Sequence, residues 1–206
     1  MQRFALGALT IMLSAVFSAG ADLAAAKAAY KKRDYATAFK QLTPLVKRGN
    51  AAAEVLLGRM YLMGYGVLKE PDEAYKLFRA AAAQGDADAE FMLGSQAVFL
   101  HIDVANGLSM LRLSAEQGNR DAQLLLGKTY MQGFRPYVPR DPVQADMWLR
   151  LAARHNLPFY RNELRIAERQ MNAAEIAKGK ALAAAWKPKR GLRPPASGKP
   201  GARPAH

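Results

Sequence analysis

AEVLLGRMYLMGYGVLKEPDEAYKLFRAAAAQG, residues Ala53–Gly85, decides the fold because the chain repeats it twice more with changes. Its landmarks are Ala-x-x-x-Leu-Gly, a tyrosine three residues on, a Gly-x-Gly-Val break, and Ala-x-x-Leu-Phe-x-x-Ala-Ala closing on glycine. The second copy runs from Ala89 to Gly118 through Leu93-Gly94, Gly107, Leu111 and Ala115. The third runs from Ala122 to Asn156 through Leu126-Gly127, Tyr130, Gly133, Ala145, Trp148 and Ala152-Ala153. Gly58, Gly94 and Gly127 step by 36 and then 33 residues, and so do Gly49, Gly85 and Gly118. Two independent ladders in one register signal stacked structural repeats, each burying its apolar face against its neighbours.

Each repeat reads as two antiparallel helices. Ala53, Leu57 and Tyr61 share one stripe at i, i+4, i+8; Ala74, Leu77, Phe78 and Ala81 share another at i, i+3, i+4, i+7. Gly64-Tyr65-Gly66 breaks the chain between them. Pro71 suits a first helical position, where its missing N–H is no loss, and Asp72 and Glu73 complement the positive end of the helix dipole. Gly85 offers a left-handed cap and Asp86 a side-chain cap for the next helix. A glycine inside a helix costs roughly 1 kcal/mol against alanine. Its recurrence beside leucine at one register therefore predicts a neighbouring helix that passes too close for a side chain.

These landmarks resemble the Sel-one-like repeat family, a relative of the tetratricopeptide repeat with a slightly longer unit. The resemblance covers about Asp34 to Trp186. It implies an all-α fold, a right-handed superhelix (solenoid) of about ten paired helices, acting as an adaptor for other proteins. Secreted members serve the bacterial envelope. The second copy departs most: Ala97 replaces the tyrosine, and Leu100 and Ile102 stand where the turn glycines belong. The third copy inserts Pro136-Tyr137-Val138-Pro139 and closes on Asn156.

Outward from the repeats (51–157), residues 22–50 form a degenerate first helix pair, with Lys31-Lys32-Arg33-Asp34 at its bend. Residues 158–186 form a closing hairpin whose stripes are Tyr160, Leu164, Ala167, Met171 and then Ile176, Gly179, Ala183, Trp186; Asn172 to Glu175 suits a capping box. Residues 1–21 combine Arg3, an apolar run from Phe4 to Phe17 and Ala19-Gly20-Ala21, the pattern of a secretory signal peptide cleaved near Ala21. The expectation is an exported chain, periplasmic or secreted. Its lack of cysteine leaves stability to packing alone.

Residues 187–206 are rich in Pro, Gly and Ala and carry Lys187, Lys189, Arg190, Arg193, Lys199 and Arg203 without one acid. Such a segment buries too little apolar surface to order itself and reads as a disordered basic tail. Taking those six charges and Arg3 from the formal +13 leaves +6 on the rest. Outside the cytoplasm a basic tail suits anionic lipid, a wall polymer or an acidic protein; nucleic acid is not expected there.

The chain shows little catalytic vocabulary. Gly127-Lys128-Thr129 imitates the end of a phosphate loop, but Ala122 stands where the loop's first glycine belongs and no strand precedes it. His101, His155 and His206 have no metal-ligand spacing, and Glu54 and Glu90, recurring at the repeat spacing, read as solvated helix faces. No catalytic residue, metal site or cofactor is expected. The leading expectation is a non-enzymatic exported scaffold for an envelope protein; the alternatives are envelope-polymer or anionic-lipid binding through the basic surface and tail, and a cell-wall-active hydrolase. By analogy with tetratricopeptide pairs, the positions after Leu-Gly face a concave groove. These are Arg59, Ser95 and Lys128, then Gln96 and Thr129, and the two cations suit an acidic or carboxylate-ended ligand.

Overall fold

The computed structural model describes residues 22–154 and 157–189. The expected leader, the closing Asn156, and Arg190 and Arg193 of the tail lie outside these residues. The fold class is all-α, a helical-repeat solenoid, with ten helices among the described residues: α1 (22–31), α2 (Tyr35–Lys47), α3 (Ala51–Met63), α4 (Pro71–Ala83), α5 (Ala87–Phe99), α6 (Val104–Glu116), α7 (Arg120–Gln132), α8 (Pro142–Ala153), α9 (Pro158–Glu168) and α10 (Ala173–Ala185). The described residues fall into two compact units, divided after Ala81.

The caps explain why the helices begin and end where they do. Asp34, Asn50, Asp86, Asn119 and Asp141 each accept a backbone N–H from the first turn of α2, α3, α5, α7 and α8. Asn172 and Glu175 form the reciprocal capping box of α10. Gly49, Gly85 and Gly118 all take positive φ at the ends of pairs, as their shared register predicts. In the second copy, where the turn glycines are missing, His101 and Asp103 adopt the left-handed conformation instead. Asp and His enter that region more readily than β-branched residues.

In the first unit, Leu42, Leu45, Leu57 and Met60 form the centre of the core, with Ala26, Ala38 and Ala53 letting the helices approach. Phe78 is fully buried, a contribution of roughly 1.5–3 kcal/mol. In the second unit, Val98, Leu111, Leu126, Trp148 and Leu151 make the main cluster, which Ala183 of α10 joins. A satellite of Met131, Leu149 and Ala167 lies beneath α9.

The mid-helix glycines sit at close crossings. A Cβ on Gly94 would lie 2.7 Å from the Gly107 carbonyl oxygen and 2.9 Å from the Leu111 nitrogen. On Gly58 it would meet the Phe78 ring at 2.7 Å, and on Gly127 the Leu149 side chain at 2.6 Å.

Gly133, at the end of α7, has φ 76° and ψ 157°, a conformation nearly closed to side chains, and its Cβ would approach the Arg140 nitrogen at 3.1 Å. Gly133→Ala is expected to cost about 1–3 kcal/mol, read as a lowered urea midpoint with unchanged slope.

Candidate functional site

The repeat register separates core from surface. Ala53, Ala89 and Ala122 are buried, and so are Leu57, Leu93 and Leu126 with the glycine that follows each. The next position is a different residue each time and reaches the surface: Arg59 and Ser95 are half-buried and Lys128 is exposed. One position further, Gln96 is half-buried, whereas Thr129 is buried with its hydroxyl donating to the Leu125 carbonyl at 2.8 Å. Thr129 therefore presents nothing to a ligand.

Arg59 stands in the first unit near a tyrosine cluster, in which Tyr35 and Tyr65 stack at 4.8 Å and Tyr30 meets Tyr35 edge-on at 5.6 Å. Burial pushes the Tyr30 hydroxyl pKa up, and the Arg59 charge opposes it. In the second unit Lys128 donates to Glu163 at 2.9 Å, so its charge is already matched by α9. Ser95 turns its hydroxyl back to the Met92 carbonyl at 3.2 Å. Gly127-Lys128-Thr129 lies inside α7 rather than in a loop, which removes it as a phosphate cradle.

Glu54 and Glu90 are buried, not solvated. Glu90 is fully buried; one carboxylate oxygen accepts Gln117 Nε2 at 2.8 Å and the other has no partner. Desolvation raises its pKa to about 7, against the lowering effect of the Gln117 bond. One copy later the same register carries Gln123, whose Nε2 donates to the Ala115 carbonyl at 3.0 Å. In both cases the position ties a helix start to the end of α6, which closes Glu90's own pair and precedes Gln123's. Recurrence of an acid at a fixed period does not distinguish that role from a solvated face.

Sequence reasoning also missed a polar knot on α8. Fully buried Asp146 accepts Arg150 Nε at 2.6 Å, and Arg150 also pairs with Glu168 of α9. Burial pushes the Asp146 carboxyl up while Arg150 pulls it down. Gly179 of α10 lies directly over this acid, where a Cβ would come within 2.6 Å of Asp146 Cβ. The i, i+4 spacing of Asp146 and Arg150 was a visible signal; the contribution of Glu168 was not.

The expected tail boundary moves. Lys187 is exposed, but Lys189 donates its N–H to the Glu116 carbonyl at 2.9 Å and its Nζ to the Glu116 carboxylate at 3.1 Å. Trp186 lies under the Arg154 guanidinium at 5.5 Å. This extended segment closes one side of a recess of about 430 Å³ lined by Arg112, Tyr130, Asp141, Trp148, Trp186 and Lys189. Among the described residues no three His, Cys, Asp or Glu side chains could together hold a metal ion.

The family model of the Sel1 repeat matches residues 51–86 and 120–157, the first and third copies. The second copy, with its missing tyrosine and turn glycines, lies outside both matches. Among solved structures, the chain is similar to a Sel1 repeat protein from Oxalobacter formigenes at 26% identity and a TM-score of 0.59, over 68% of this chain and 58% of that one. It shares the fold of c5321, described as a protective antigen present in uropathogenic Escherichia coli strains and displaying an SLR fold; the identity is 22% and the TM-score 0.55, over 82% of this chain and 46% of that one. The chain thus spans about half the length of these structures. No curated protein matches it.

Proposed function

We propose that the chain, as a Sel1-repeat protein, is a non-enzymatic adaptor exported to the cell envelope, where it binds a protein partner through the positions after Leu-Gly that reach the surface of its first-of-pair helices. The family supports protein–protein interaction in general. Export rests on the charged start, apolar run and Ala-x-Ala pattern of residues 1–21. The observation that carries the binding reading is the register itself: buried alanine, leucine and glycine stay constant while the next residue changes from Arg59 to Ser95 to Lys128. A scaffold that keeps its core and varies its reading surface has this pattern.

Lys128 is matched by Glu163, so the partner is read by shape and hydrogen bonding on α5 and α7 as much as by charge. Ser95→Arg combined with Lys128→Glu changes that surface without touching the core. This pair is expected to weaken capture of the partner from envelope extract at least tenfold, within the range of anchoring contacts, while the loss of the exposed Lys128–Glu163 pair lowers stability by only about 1 kcal/mol. Identical proteins captured at identical yield by the variant would refute the reading. Fractionation of cells carrying the full chain tests export separately, by the presence of the shortened protein outside the cytoplasm.

A further inference from the structure

The outer face of α9 is a cationic ladder with an apolar edge. Arg161, Arg165 and Arg169 follow at i, i+4 and i+8, about 6 Å apart along the axis, and all three are exposed. Arg165 donates to Asn162 at 2.8 Å, and none of the three forms an ion pair among the described residues. Like charges at this spacing oppose helix formation by a few tenths of a kcal/mol per pair, so the ladder does not stabilise α9.

The acids that α9 carries or meets each have a partner within the chain. Glu163 holds Lys128, Glu168 holds Arg150, and Asp121 accepts the Tyr160 hydroxyl. Beside the ladder, Phe159 is 58% and Ile166 44% exposed. Helical spacing places them on the edge of the outer face, away from the stripe of Leu164 and Ala167 that packs inward. At the ladder's first residue opens a recess of about 360 Å³, floored by Ala153, Leu164, Ala183 and Ala184 and rimmed by Arg154 and Arg161.

We propose that this face of α9 docks on an anionic phospholipid bilayer, with Arg161, Arg165 and Arg169 against the headgroup phosphates and Phe159 and Ile166 entering the acyl boundary. Charge complementarity requires an anionic surface. The apolar pair selects a bilayer over a soluble polyanion, which offers nothing to bury those side chains against. The ladder is separate from the adaptor residues Ser95 and Lys128, but Lys128 pairs with Glu163 of α9, so the ladder is tested with both of those residues unchanged.

The test uses residues 22–206, which contain every described helix, because the apolar run of residues 4–17 would enter any vesicle by itself. Cosedimentation compares phosphatidylcholine vesicles with vesicles containing about 25 mol % phosphatidylglycerol, whose anionic surface attracts each nearby cation by about fivefold in partitioning. The chain is expected to bind the anionic vesicles selectively and to release with salt. Arg161→Ala, Arg165→Ala and Arg169→Ala together are expected to lower the partition coefficient about 100-fold, and the corresponding three lysine substitutions to restore most of it. Phe159→Ser with Ile166→Ser is expected to lower vesicle binding about tenfold or more while leaving binding to soluble polyphosphate unchanged. Equal binding to both vesicle types overturns the proposal. So does full binding by the triple alanine variant, which assigns the lipid to the basic tail. Vesicle binding that ignores Phe159 and Ile166 makes the face a polyanion site instead.

Discussion

Gly94→Leu is expected to lower the free energy of unfolding by about 3 kcal/mol or more, the largest single-residue loss at any of the repeat glycines. The reason is the nature of the neighbour. At Gly94 the incoming Cβ meets backbone, the Gly107 carbonyl oxygen and the Leu111 nitrogen, and α6 cannot yield without moving as a body. Even Gly94→Ala is expected to destabilise, although alanine gains roughly 1 kcal/mol in helix propensity. At Gly58 the nearest atoms belong to the Phe78 side chain, which can tilt, so Gly58→Ala is expected to cost less than Gly94→Ala. Urea midpoints of the three variants give the order. A neutral Gly94→Leu would show that the two helices do not approach as closely as described.

The second large effect is a dependence of stability on pH that runs toward acid. Glu90 titrates near 7 in the fold against 4.5 for a free glutamate. Because the folded pKa is raised, the fold favours the protonated carboxyl. Its contribution is fully present below about pH 4.5, falls as pH rises through 7, and is absent above it. The shift corresponds to about 3 kcal/mol between those limits. Asp146, also raised, acts in the same direction. Glu90→Gln supplies the residue that the chain itself carries at Gln123, keeps an acceptor for Gln117, and adds a donor where the ionised acid has an unpartnered oxygen. The variant is expected to be more stable than the parent at pH 8 by about 1–3 kcal/mol, with the difference shrinking to near zero at pH 4.5. Thermal melts of both proteins across that range check it; parallel curves would refute the assignment to Glu90.

Much of the architecture was legible because glycine and asparagine report backbone geometry directly. Gly49, Gly85 and Gly118 had to be in register if the helix pairs repeated, and their positive φ follows from that placement. Leu57, Leu93 and Leu126 were legible as core through helical periodicity. Glu54 and Glu90 were not, because the pattern of one helix does not reveal what another helix lays across its first turn, as the end of α6 does over Glu90. Tertiary contact likewise hid the fate of the binding positions. Thr129 follows Lys128 in sequence, yet the helix rotates it into the core, and Lys128 finds Glu163 from 35 residues away. At the start of the expected tail, Lys189 bonds Glu116 through both its backbone N–H and its Nζ, contacts that composition does not reveal.

The three close crossings also bear on how such a chain can diversify. Gly58 faces the ring of Phe78, Gly127 faces Leu149, and Gly94 faces a second glycine, Gly107, whose own Cβ would lie 2.8 Å from that of Ala97. Copies that share one glycine register are thus closed by three different contacts. Recombination that moved α5 into the place of α3 or α7 would carry half a contact, setting Ala97 against a helix that has alanine where α6 has Gly107. Each pair is therefore a matched packing unit, and transfer of a whole pair is expected to preserve stability where exchange of a single helix is expected to lower it.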